Sequence, residues 1–342
     1  MPRRVSNPPN PWASTHVEWL GEPPSVALEV YEERARSIVA ENDSPDVPFR
    51  FSVNPYRGCQ HACAYCYARP THQYLGFGAG TDFDSRIVVK LNAAELLRRE
   101  LARKHLHGEW LAFSGVTDCY QPLEAALGLT RACLEECLAA RAPVGVVTKS
   151  ALVRRDAQLL AELERAAGAR VFLSIPLADE ADARALEPWA PSPALRFETL
   201  RQLAQAGVPT GVALSPLVPG LSESQVPQIL ERAREAGASR AFLILLRLPA
   251  EVRPVFEQRL RTALPLRADR VLRALDEMRA QQADPCAFGA RMQGAGPRWE
   301  AARDLFEITC RRLGLATGAG EPVAPLEPAA DPPRARQHML FD

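Results

Sequence analysis

Short, mostly apolar runs recur along the chain, each followed by a longer stretch in which apolar residues return every three or four positions. The runs are Arg50–Val53, Trp110–Ser114, Val144–Thr148, Val171–Ile175, Gly211–Ser215 and Ala241–Leu246. A strand covered on both faces reads as such a continuous run, not as an alternation. The intervening stretches predict helices with one apolar face. Ala93–His105 carries Leu96, Leu97 and Leu101, Thr130–Ala140 carries Leu134 and Leu138, and Arg155–Ala167 carries Leu159, Leu160 and Leu163. Pro193–Ala206 and Glu223–Ala236 complete the set, the last opened by Ser222 and Gln225 at capping-box spacing.

Six strands alternating with helices imply parallel βαβ units, so the fold class is α/β, a partial (β/α)6 barrel. Beyond residue 250 the pattern turns helical, at Val252–Leu264, Ala268–Gln281 and Arg298–Leu313, which predicts a helical C-terminal extension over the barrel. The expected organisation is an N-terminal extension over 1–48, a core barrel over 49–250, a helical cap over 251–316 and a flexible tail over 317–342. Within the extension only Glu29–Ile38 has the makings of a short helix. Chemistry in such folds sits at the carboxyl ends of the strands, so the residues that follow each run are the ones to inspect.

Composition narrows the setting. Of 342 residues, 47% are apolar, enough for a large core, and 41 basic residues balance 41 acidic ones. Zero net charge argues against whole-molecule attraction to nucleic acid, although a local basic patch stays open. No run of 18 apolar residues exists, so no membrane span is expected. No apolar segment follows Arg3 and Arg4, so the N-terminus is not read as a secretory signal. The expected location is the cytoplasm, where eight cysteines read as ligands, reactive thiols or core residues and not as a disulfide framework.

Three of those cysteines fall directly after the first run, in Gly58-Cys59-Gln60-His61-Ala62-Cys63-Ala64-Tyr65-Cys66. Three thiolates at C-x3-C-x2-C spacing can hold three irons of a 4Fe-4S cube and leave the fourth iron open to a ligand. Thiolate and imidazole also suit zinc, with His61 as a fourth ligand, although the spacing is not that of paired zinc knuckles. The segment resembles the signature of the radical S-adenosylmethionine (SAM) superfamily, including the aromatic Tyr65 before the third cysteine.

The resemblance implies a 4Fe-4S cluster on Cys59, Cys63 and Cys66, SAM on the open iron, and reductive cleavage of SAM to a 5′-deoxyadenosyl radical that abstracts hydrogen. It implies an electron donor such as flavodoxin or ferredoxin. By the same resemblance, Gly115, Thr117 and Asp118 at the second strand end match the place that meets the SAM amino group. Thr148, Lys149 and Ser150 at the third strand end, and Ser174 at the fourth, match places for the methionine carboxylate or the ribose. Val218 and Gly220 after the fifth strand match an adenine-packing segment. Read from residues alone, Asp118 equally suits a turn cap, Lys149 a surface lysine, and 215–221 a proline-rich turn.

Asn54–Ala68, Thr117–Glu124, Thr148–Ser150 and Phe288–Gly294 together look like the spore-photolyase-like branch of that superfamily, over most of residues 50–315. The branch implies a possible nucleic-acid substrate. Its namesake returns a hydrogen atom from a further cysteine, whose matching position here is Gly115, so Cys119 becomes the candidate donor and Tyr120 a candidate relay. The bland alternative for Cys119 is an ordinary loop thiol. Cys133 and Cys137, four apart on a predicted helix, read as buried apolar thiols. Gly289, Arg291, Gly294 and Gly296 form a basic, glycine-rich loop suited to a phosphate at the barrel mouth. Arg57 and Arg69 flank the cysteines and are also placed to meet an anion.

Overall fold

The computed structural model describes residues 27–103, 108–280 and 288–318. Strands β1 (Glu29–Glu33), β2 (Val39–Glu41), β3 (Phe51–Val53), β4 (Tyr56–Arg57) and β5 (Arg86–Lys90) come first. Then follow β6 (Leu111–Phe113), β7 (Val144–Thr148), β8 (Ala169–Ser174), β9 (Thr210–Leu217), β10 (Arg240–Leu245) and β11 (Ala316–Thr317). The helices are α1 (Thr81–Ser85), α2 (Ala93–Arg103), α3 (Glu124–Leu127), α4 (Leu129–Ala140), α5 (Ala157–Ala166) and α6 (Glu180–Leu186), then α7 (Pro193–Gln205), α8 (Val226–Glu235), α9 (Val252–Ala263), α10 (Ala268–Ala280) and α11 (Pro297–Leu313).

The main sheet runs β11-β10-β9-β8-β7-β6-β3-β2, parallel throughout except for β2 against β3. Its six inner parallel strands are the six runs legible in the sequence. Val53, Phe113, Val146, Val171 and Thr210 are register partners across five of them, and all are buried. The expected leucines Leu97, Leu134, Leu160 and Leu163 are fully buried beneath α2, α4 and α5, and Cys133 and Cys137 join the same core. The sheet stays open, with β2 and β11 as its edges, which is the expected partial barrel. Among the described residues no helix is long and apolar enough to cross a membrane.

Glu29–Ile38 does not form the expected short helix. Its first half is β1, which pairs with β5 from Glu29↔Arg86 to Glu33↔Lys90 in a second sheet ordered β1-β5-β4. The partner Ile87-Val88-Val89 is buried, and pairing with it outweighs the weak helix preference of the glutamates. The Ser222–Gln225 capping box is absent as well. Ser222 Oγ accepts from Val218 N at 2.6 Å, and Gln225 Oε1 accepts from Ala178 N and Asp179 N at 2.6 and 3.1 Å. Both side chains tie loops together, and α8 starts only at Val226.

The C-terminal helices divide their work. Residues of α9 and α10, including Phe256, Leu260, Val271 and Leu275, share an apolar cluster with Cys63, Ala64, Tyr65 and Val218, so they seal one side of the cysteine loop. Helix α11 packs on α8 and leads into β11, parallel to β10. The loop before α11 stitches the two ends of the sheet. Met292 O accepts from Leu245 N at 3.1 Å, Gly289 N donates to Asp46 Oδ1 at 2.5 Å, and Arg291 reaches Asp46 Oδ2 and Ser44 Oγ. Arg291 is thus committed to this seam and not to a phosphate at the mouth. Cys286 and the tail from residue 319 lie outside the described residues.

Candidate active site

The cysteine loop leaves β4 and is fastened from beneath. Gly58 has φ +80°, where a side chain is strained, and a Cβ there would come within 2.8 Å of the His72 ring and 2.9 Å of Phe83 O. Its carbonyl accepts from Thr117 Oγ1 at 2.5 Å and from Gln121 Nε2 at 3.1 Å. Cys59 N donates to Phe83 O at 2.9 Å, and Cys66 N to Cys63 O at 3.2 Å. All three thiols are unpaired; Cys59 and Cys63 are buried and Cys66 is half-buried. Burial pushes all three up in pKa, Cys63 to about 12, so their thiolates need a cation to exist there.

The chemistry of this donor set fits an iron–sulfur cluster. It offers sulfur without a carboxylate, and the fastened backbone presents the three thiols from one short loop. His61 is turned to Asp118, with Nδ1 at 3.3 Å from Oδ2.

The second strand end is a set of clamps. Asn54 Oδ1 accepts from Gly115 N and Val116 N at 2.9 and 3.0 Å, and Tyr67 OH donates to Gly115 O at 2.8 Å. Thr117 is spent on Gly58. Asp118 accepts from Thr148 Oγ1 at 2.6 Å, Tyr120 N at 2.9 Å and Lys149 N at 2.9 Å. With both oxygens engaged, it holds β6, β7 and the cysteine loop in one arrangement and does not stand open. Burial works against its charge, but His61, Thr148 and the Lys149 amide hold its carboxyl at about 2.

A depressed carboxyl contributes stability above its unfolded pKa, and that contribution is lost as pH falls through the folded value. Asp118→Asn is therefore expected to lower stability at pH 7 by on the order of 2 kcal/mol. The gap to wild type closes between roughly pH 5 and pH 2, which denaturant melts across that range will read.

At the next two strand ends lies a buried charge network that the sequence concealed. Lys149 Nζ donates to Ser174 Oγ at 3.0 Å, lies 3.7 Å from Glu187 Oε1, and sits 5.5 Å from the centre of the Tyr65 ring. Glu187 also holds Tyr65 OH and Arg196, and Arg196 Nη1 donates to Ser174 O at 3.0 Å. Tyr65, Lys149 and Ser174 thus converge, with Lys149 near enough to Cys63 to act on its charge. Glu187 was missed because the short helix α6, which it closes, has no legible period, and Arg196 because it reads as one more polar position of the expected helix α7. Asn54 had a faint signal, as a polar residue directly after a strand and before Pro55.

Other expected positions are used differently. Ser150 Oγ caps the turn at Ala151–Asp156 by accepting from Leu152 N at 3.2 Å, and is not turned to a ligand. Val218 is fully buried in an apolar cluster with Cys63, Ala64 and Tyr65 of the cysteine loop. Gly220, at φ +78°, lies under α10, with Arg270 Nη2 on its carbonyl. A Cβ there would meet the Val271 backbone at 3.4 Å, so Gly220 serves a turn and a helix contact. Cys119 is fully buried in the main core, its sulfur accepting from Ser114 Oγ at 3.1 Å. Tyr120 is buried with it, donating to Asp156 Oδ2 at 3.1 Å. Neither reaches the mouth, because the clamp on Asp118 turns the chain inward. Arg69 is buried within the loop and meets no external anion.

The sequence matches the Radical SAM superfamily over residues 53–233, just over half of the chain. The chain belongs to the radical SAM superfamily. That family implies a 4Fe-4S cluster and SAM. This radical SAM chain is 38% identical over 212 residues to an uncharacterized protein of Mycobacterium tuberculosis, covering 61% of this chain and 62% of that one. It is 31% identical over 194 residues to an uncharacterized protein of Methanocaldococcus jannaschii, covering 57% and 70%. It thus spans less than two thirds of the mycobacterial relative. In fold it is similar to spore photoproduct lyase complexed with dinucleoside spore photoproduct, with TM-score 0.60, 17% identity, and 84% and 81% of the two chains covered. A variant of that lyase with bound AdoMet and dinucleoside spore photoproduct gives TM-score 0.58 and 20% identity, over 85% and 81%.

Proposed function

We propose that Cys59, Cys63 and Cys66 hold a 4Fe-4S cluster, and that the chain cleaves SAM reductively to abstract hydrogen from a nucleic-acid substrate. The observation that carries the reading is the cysteine loop itself, three thiols fastened at the carboxyl end of the first parallel strand beside a buried cation. What the group supplies when bound is one electron to SAM, which parts into methionine and a 5′-deoxyadenosyl radical able to take hydrogen from an unactivated carbon.

The remaining work falls to the chain. Lys149, steered by Ser174 and Glu187, presents its ammonium toward a carboxylate such as that of methionine. Thr117, Gln121 and Asn54 fix the loop against β6. Val218 and helices α9 and α10 keep water from one side of it. Cys119 and Tyr120, buried as they are, take no part in this reading.

The nucleic-acid assignment has two supports. The structural neighbour was solved with a dinucleoside, and Tyr67 and Trp189 are exposed beside the cysteine loop. Trp189 N donates to His61 O at 3.4 Å, which places that residue beside the loop. Such rings stack on unpaired bases without needing net positive charge. A flavodoxin or ferredoxin is the proposed source of the electron.

The test is 5′-deoxyadenosine formation by protein purified without oxygen, loaded with iron and sulfide, and given SAM and dithionite. Product above the protein-free control is expected, and none from fully loaded protein would overturn the reading. Single-stranded oligonucleotides should bind, as read by fluorescence anisotropy. An absence of binding together with an unchanged cleavage rate would redirect the search to small metabolites or peptides.

A further inference from the structure

Arg69, three positions beyond the third cysteine, is a fully buried arginine whose five N–H groups are all engaged. Nε and Nη2 donate to Cys63 O at 3.1 and 2.9 Å. Nη1 donates to Ala79 O at 3.1 Å and Gly80 O at 2.8 Å, and Nη2 to Asp84 Oδ1 at 2.8 Å. Its backbone N donates to Cys66 O at 3.3 Å. Its guanidinium also lies over the Phe83 ring, 5.2 Å from the centre, and Phe83 O in turn accepts from Cys59 N. One residue therefore reaches Cys63 and Cys66 directly and Cys59 through Phe83, and the segment from Cys63 to Asp84 is folded around it.

The charges around the loop are unequal. Arg69 and Arg259 of α9 face the single carboxylate Asp84, and Arg259 Nε is buried without a hydrogen-bond partner. On the other side Lys149 and Arg196 share Glu187, while Asp118 stands near Cys59. Four cations, three of them buried and Lys149 half-buried, thus meet three carboxylates. A 4Fe-4S core on three thiolates carries a net negative charge, which grows by one on reduction, so a surplus of cations favours the reduced form.

We infer that Arg69 is a positioning residue for the cysteine loop: its planar fork sets Cys63 and Cys66 for iron, and the balance of charge between it and Asp84 sets how readily the cluster is reduced. The inference rests on the cluster reading above. Lysine cannot replace the fork, because it brings three donors to five bonds and has no plane.

Two variants separate geometry from charge. Arg69→Lys keeps the cation and loses the fork. In iron-free folded protein, iodoacetamide should alkylate Cys63 and Cys66 faster than in wild type, as read by peptide mass spectrometry. In loaded protein, iron should leave to a chelator roughly 10-fold to 100-fold faster. Asp84→Asn keeps the shape and removes the negative charge. Its iron retention should stay near wild type, while the midpoint potential, followed by electron paramagnetic resonance, moves upward.

Wild-type alkylation and chelation rates in folded Arg69→Lys would overturn the positioning role. A potential that is unmoved or lowered in Asp84→Asn would overturn the charge role, and it alone decides should Arg69→Lys not fold. Wild-type protein that takes up no iron would sink the cluster reading instead, and the alkylation comparison would still judge the hold of Arg69 on the loop.

Discussion

Cys63→Ala is expected to purify as a folded, colourless protein that takes up iron only to background and forms no 5′-deoxyadenosine. The other thiols among the described residues cannot stand in. Cys119 is turned to Ser114, Cys133 and Cys137 face the core beneath α4, and Cys310 is buried on α11. Each would have to leave an apolar site and carry its strand or helix with it. The fold should persist, because the loop is held by backbone carbonyls and by Thr117, Gln121 and Arg69, none of which needs the Cys63 sulfur. Iron analysis, the visible spectrum and nucleoside chromatography check the three parts separately. A brown variant with wild-type iron would mean that the loop is not the cluster site.

Glu187→Ala should do the reverse, striking stability first. Glu187 is fully buried, and its carboxylate serves Tyr65, Lys149 and Arg196 at once. Burial opposes its charge, and the two cations overcome that and hold its carboxyl below the ordinary range. Removing it leaves Arg196 and Lys149 buried without a counter-ion, which costs about 3–5 kcal/mol. For a chain of this size that is a fall in unfolding midpoint on the order of 10 °C, measurable by circular dichroism. Glu187→Gln should fall between the two, since it keeps the shape and one acceptor. An unshifted midpoint in Glu187→Ala would mean that water reaches this network and screens it.

The barrel strands and the cysteine loop were legible because both are local. A buried parallel strand declares itself by an unbroken apolar run, and Cys59, Cys63 and Cys66 lie within eight positions. The clamps were not legible. Thr117 meets Gly58, Asn54 meets Gly115 and Glu187 meets Tyr65 only after distant elements have packed, and no period in the sequence marks such pairs. The same blindness misplaced Cys119 and Tyr120. The sequence puts them beside Asp118 at a strand end, but Asp118 is spent on Thr148 and Lys149, and the residues after it turn into the core. Glu29–Ile38 failed for a related reason, because its strand pairs with β5 some 57 positions along, a partner the pattern did not reveal.

The seam between Asp46 and the loop at Gly289–Arg291 joins residues 243 and 245 positions apart. A ribosome delivers the cysteine loop and the six inner strands well before it delivers Arg291. Closing so long a loop carries a large entropic cost, so the contact forms only after both ends have been brought together by other packing. The order of synthesis therefore leaves the growing barrel unstitched on one side while its cysteines are already in place, and the stitch waits until Arg291 has left the ribosome.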